Sequence, residues 1–182
     1  MNCWKSINVK KEYNTFRLLL LSILSMILSF IFSYLIFSLS HPGIVFAEIG
    51  MANTILFFLL LFPLHLVLDT IPLWLAGVRM KLRRHQPNKS KILVVTMESK
   101  KPIGRNMYML AVLFPTFFVG ILSVWGALLF PSYAHLFIVL FSFNMGLSVY
   151  DFVYVKPLFS APKHSYIEQK QNGLDILLKQ PM

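Results

Sequence analysis

Residues 18–39 read LLLLSILSMILSFIFSYLIFSL and contain no charged side chain. A bilayer core about 30 Å thick is crossed by about 20 apolar residues at a rise of about 1.5 Å each, so this stretch is long enough to span. Three further stretches have the same character: about 54–78, which carries His65 and Asp69; about 107–130; and about 133–155. Each is expected to be helical, because backbone groups in hydrocarbon must bond within their own segment. The fold class expected is therefore an all-α membrane protein, residues 1–182 forming one integral membrane domain of four transmembrane helices. No internal repeat of the inverted-repeat transporter kind relates the two halves.

The composition agrees. The chain has 182 residues, of which 57% are apolar, 15% aromatic and 13% charged, against about 25% charged in soluble proteins. The mean hydropathy is +0.67. Intrinsic disorder is a poor fit to these values, and Cys3, the single cysteine, cannot close a bridge within the chain. The first span also differs from a secretory signal, whose apolar region is only ~7–15 residues, and the small-residue site at Val45-Phe46-Ala47 lies well beyond it. It is expected to be retained. Ser22, Ser25, Ser29 and Ser33 give it a small-residue stripe suited to helix packing.

Orientation follows from the basic residues. Lys5, Lys10, Lys11 and Arg17 precede the first span, nine Lys and Arg lie in the loop 79–106, and Lys156, Lys163, Lys170 and Lys179 lie in the tail 156–182. The other two connections have none. The chain is thus expected in the cell membrane, with both termini and the loop 79–106 cytoplasmic. The formal net charge of +10 becomes a topology signal with attraction to anionic lipid heads, and no nucleic-acid partner is expected. Two small cytoplasmic β-hairpins are expected as well. One pairs residues 77–82 with 91–97 across the turn-rich 85–90, the other reading of this segment being a solvated basic loop. The other pairs 165–169 with 174–178 across Asn172-Gly173, a strong turn dipeptide. An exposed edge in the first could accept an extended peptide by β-addition.

Ionisable groups in mid-membrane cost at least ~2.5–3.5 kcal/mol each and ask for a role. His65 and Asp69, four apart, share a helix face, as do Asn144, Ser148 and Asp151. At ~1.5 Å per residue from the outer surface, Asp69 lies roughly 22 Å down and Asp151 roughly 27 Å down. The two can share a site if their helices pack together. One imidazole and two carboxylates suit a hard or borderline divalent metal, zinc among them, with a coordination position left for water. The spacing leaves a second reading open: a buried His–Asp pair of structural value, with Asp151 meeting water or Lys156. Pro63 and Pro72 bracket the pair and each removes a helical hydrogen bond. No GxSxG, P-loop, CxxC or Gly-rich dinucleotide turn is present.

The layout resembles the putative zincin peptidases, small membrane proteins of Bacillus-type bacteria that are similar to site-2 proteases. In that family a membrane helix carries HExxH, a basic cytoplasmic hairpin follows, and a later span supplies an Asp after an Asn/Gly/Ser-rich turn. The matching pieces are His65-Leu66-Val67-Leu68-Asp69, the loop 79–106 with Pro102-Ile103-Gly104, and Asn144-Met145-Gly146-Leu147-Ser148-Val149-Tyr150-Asp151. The resemblance implies a zinc cofactor held by His65, Asp69 and Asp151, with Asn144 and Ser148 supporting. The motif is degenerate in two places. Leu66 stands where the glutamate would act as general base, and Asp69 stands where the second histidine would bind. Three functions are carried forward. The first is a non-proteolytic member that binds membrane proteins or peptides. The second is an intramembrane metalloprotease with an altered metal site, and the third is a small carrier or accessory subunit using His65 and Asp69 as a relay.

Overall fold

The computed structural model describes residues 2–8, 14–78, 80–85, 94–99, 102–170 and 173–178. Strand β1 (Asn2–Asn8) leads into α1 (Thr15–Ser40) and α2 (Met51–Leu75). The ribbon β2 (Met80–His85) and β3 (Val94–Ser99) follows, then β4 (Ile103–Gly104) and α3 (Arg105–Leu129). A single 3₁₀ turn, Pro131–Tyr133, reverses the chain into α4 (Ala134–Phe159), and β5 (Ser165–Lys170) and β6 (Gly173–Leu178) close it. All four helices are long and apolar enough to cross a membrane. Each expected span corresponds to one of them, with ends moved by up to four residues. The second span was expected to reach Val78. It ends at Leu75 because Gly77 takes a left-handed φ of 74°, which only glycine adopts freely.

Helix α4 is the hub. It packs against α1 on one side and α3 on the other, while α2 packs against α3. Small residues let these backbones approach. Ser22 Oγ donates to the Gly146 carbonyl oxygen at 2.6 Å and Ser25 Oγ to that of Met145 at 3.4 Å. A Cβ on Gly146 would meet the Ser22 carbonyl oxygen at 3.2 Å. The serine stripe of α1 is thus a packing face at Ser22 and Ser25. Further along, Ser29 and Ser33 line a lateral groove shared with α3 and α4.

The β-structure is more extensive than two hairpins. β5 and β6 pair as expected, but β1 adds to the outer edge of β6 and β4 to β5, giving an antiparallel sheet in the order β1-β6-β5-β4. Ile7 stands opposite Leu174, and Ile103 opposite Ile167. Ile7, Ile103, Ile167, Leu174 and Ile176 turn one face of the sheet onto Leu73, Tyr108, Ala111 and Leu158 at the helix ends. Period-2 alternation puts these apolar residues on one side. Lys170 pairs with Gly173; residues 171–172, and with them part of the expected Asn172-Gly173 turn, lie outside the described residues. The other ribbon pairs Met80 with Ser99 through His85 with Val94. It lies two to three residues later than expected, since residues 76–78 complete the end of α2; its turn is outside the described residues.

Candidate functional site

Helix α2 carries His65 and Asp69 one turn apart, between two prolines that leave the carbonyls of Leu59 and Leu68 without their usual helical donors. Helix α4 carries Asp151 less than three turns from its end. Although α2 packs mainly on α3, its histidine reaches α4. His65 Nε2 lies 3.7 Å from Asp151 Oδ2, and His65 Nδ1 lies 3.9 Å from Asp69 Oδ2. Both separations exceed a hydrogen bond. The His65 and Asp151 side chains are 13% and 15% exposed, whereas Asp69 is 33% exposed, so the group is reached past Asp69. Among the described residues, His65 Nε2, Asp69 Oδ1 and Asp151 Oδ2 are buried without a hydrogen-bond partner.

The expected stripe on α4 divides. Asp151 faces His65, while Ser148 and Asn144 turn onto α3. Ser148 Oγ donates to the Asn144 carbonyl oxygen at 2.7 Å and lies 2.7 Å from Thr116 Oγ1. Asn144 Nδ2 donates to the Thr116 carbonyl oxygen at 3.0 Å. These bonds join α3 to α4 directly beside the site. Asn144 keeps one tie to the histidine: it and His65 line the same small cavity, of about 10 Å³, and Asn144 Oδ1 is buried without a hydrogen-bond partner among the described residues. Thr116 was missed from sequence; the available signal was an aliphatic hydroxyl residue beside Pro115 in an apolar span that has only Ser123 as another. A larger groove of about 830 Å³ between α1, α3 and α4 is lined by none of His65, Asp69 and Asp151.

The family model described as putative zincin peptidase matches residues 58–166, well over half of the chain. The chain belongs to that family. His65, Asp69, Asn144 and Asp151 all fall within the match. No curated protein and no solved structure matches the chain.

Zincin peptidases take their name from zinc, and the donor set bears on whether the ion fits here. Catalytic zinc takes three protein ligands at ~2.0–2.2 Å around one point. His65 Nε2 and Asp151 Oδ2, buried and unpartnered at 3.7 Å, can stand at two corners of such a sphere. Asp69 faces the opposite ring nitrogen. That is the side on which carboxylates stand behind metal-bound histidines, not the side of an ion that Nε2 would bind. Among the described residues no three His, Cys, Asp or Glu side chains are grouped to hold a metal. The three expected ligands are brought together, but not around one point, and the set falls a ligand short of a catalytic zinc centre.

Proposed function

We propose that this zincin-family chain is a non-proteolytic multi-pass membrane protein that binds other membrane proteins or peptides at its His65–Asp69–Asp151 group. In this reading it sits in the cell membrane with both termini and the sheet on the cytoplasmic side. The observation that carries it is the arrangement of the imidazole, whose two nitrogens face two different carboxylates. A hydrolytic zinc site needs one nitrogen and its companions on one ion, with a base beside the bound water. This chain has Leu66 where the base would stand. What remains is a set of buried polar atoms without hydrogen-bond partners, in helices apolar enough to lie in lipid. A partner's polar groups in hydrocarbon need such atoms, because no water is there to satisfy them.

The test is co-expression with a library of single-span reporters. The expected result is capture of some reporters at full length, with no cleavage by the wild type or by Asp151→Asn. Cleavage by the wild type that Asp151→Asn abolishes would replace this reading with the second one, an intramembrane metalloprotease with an altered site. One observation favours that alternative: Nε2 of His65 and Oδ2 of Asp151 are paired, buried and free of hydrogen bonds.

A further inference from the structure

The small cavity between α2, α3 and α4 is apolar but for two side chains. Val119, Leu140 and Phe143 are among its walls, and His65 and Asn144 are its polar members. Asn144 is only 2% exposed. Its Nδ2 is engaged by the Thr116 carbonyl oxygen, whereas its Oδ1 is buried without a hydrogen-bond partner among the described residues. The histidine is in the same position. Its buried, unpartnered nitrogen is Nε2, and Asp151 Oδ2 at 3.7 Å stands beyond a hydrogen bond. Two helices thus each bring one polar side chain with an unmet hydrogen bond to the same space. Inside hydrocarbon that is costly, because no bulk water relieves it.

The size and lining of the cavity decide what can relieve it. Its volume of about 10 Å³ is about what a single water needs. The rest of its wall is Leu, Val and Phe, so a bare cation would lose its hydration and gain two ligands where hard cations take about six. The occupant is therefore neutral. It must also donate, because Asn144 Oδ1 only accepts, while His65 Nε2 donates or accepts according to its tautomer. Water meets both demands. It gives one O–H to Asn144 Oδ1 and meets Nε2 with either its second O–H or a lone pair.

We propose that this cavity binds one structural water, bridging Asn144 Oδ1 on α4 to His65 Nε2 on α2. The bridge gives α2, which packs mainly on α3, a polar tie to α4. It also fixes the imidazole in the orientation that turns Nδ1 toward Asp69, since the bond at one ring nitrogen sets the role of the other. Neither carboxylate lines the cavity, so Asp69 and Asp151 take no part in the bridge and stay open to a membrane partner. The inference stands independently of the partner-binding reading.

The direct test is a high-resolution crystal structure of the full-length protein grown from a lipid mesophase. The expected result is one density peak at about 2.7–3.2 Å from both Asn144 Oδ1 and His65 Nε2. An empty cavity, or a peak bonded to only one of the two, would overturn the proposal. A stability measurement supplies a second test. Val119→Ile adds one carbon to the cavity wall and touches neither polar group. In a dry cavity the added carbon improves packing and raises the thermal midpoint. Where a bonded water is displaced, both polar atoms lose their partner, and the midpoint is expected to fall by several degrees. In the Asn144→Leu background, which keeps the side-chain shape without the acceptor, the same substitution is expected to leave the midpoint unchanged. A rise in the wild-type background, or an equal fall in both, would overturn the bridge. The crystal structure needs no substitution, so it decides the matter even if Asn144→Leu folds poorly.

Discussion

Leu66 separates this chain from a complete HExxH pattern at one position, and Asp69 separates it at another. Restoring the first alone is expected to change nothing chemically. In Leu66→Glu the base would return, but an ion on His65 Nε2 would still have only Asp151 beside it, because Asp69 faces Nδ1. The expected outcome is no cleavage of a single-span reporter; cleavage would mean that Asp69 swings round to the metal. The neighbouring hydrogen bonds offer a cleaner measure. Ser148→Ala removes the contact with Thr116 Oγ1 and should cost about 0.6 kcal/mol, the average for polar contacts between membrane helices. Asn144→Ala frees the Thr116 carbonyl oxygen and should cost about 1–2 kcal/mol. Unfolding in mixed micelles would read both. At this scale His65, Asp69 and Asp151 were legible as the polar intruders of apolar helices. What spacing could not reveal is which ring nitrogen each carboxylate faces, since that depends on how two distant helices rotate against each other.

Helices α1 and α4 meet through Ser22, Ser25 and Gly146, where the backbones come close. Gly146→Leu pushes a side chain into the Ser22 carbonyl oxygen and Met26, and should destabilise the protein by about 1–3 kcal/mol. The thermal midpoint in detergent would fall by several degrees; an unchanged midpoint would mean that α1 docks elsewhere. In the sheet, Ile176 is fully buried between β1 and β5. Ile176→Ala should cost about 2–5 kcal/mol and deprotect the β6 amides in hydrogen exchange. The helices were readable because twenty apolar residues in a row have few alternatives. The β5–β6 hairpin was readable from its alternation and its turn residues. Strand β1 was not, because Asn2–Asn8 is short and mostly polar, and becomes a strand only through a β6 edge 165 or more residues away.

At the scale of the whole molecule, the pairing of β1 with β6 brings both terminal strands to one end of the helices, together with the loop between α2 and α3. An even number of crossings would give the same arrangement, and in the proposed orientation the basic residues put that end in the cytoplasm. Reporters fused after Met182 and inserted near Asn88 should both read cytoplasmic; an external reading at either would reverse the orientation. In that proposed orientation the site lies in the cytoplasmic half of the membrane, and it joins the first and last parts of the family match through His65 and Asp151. The account turns on His65 serving two carboxylates instead of one metal ion. The direct measurement is the zinc content of the purified full-length protein by mass spectrometry, beside folded His65→Ala and Asp151→Asn variants. Zinc far below one ion per chain, and the same in all three, is the result predicted. One zinc per chain in the wild type, lost in both variants, would contradict it.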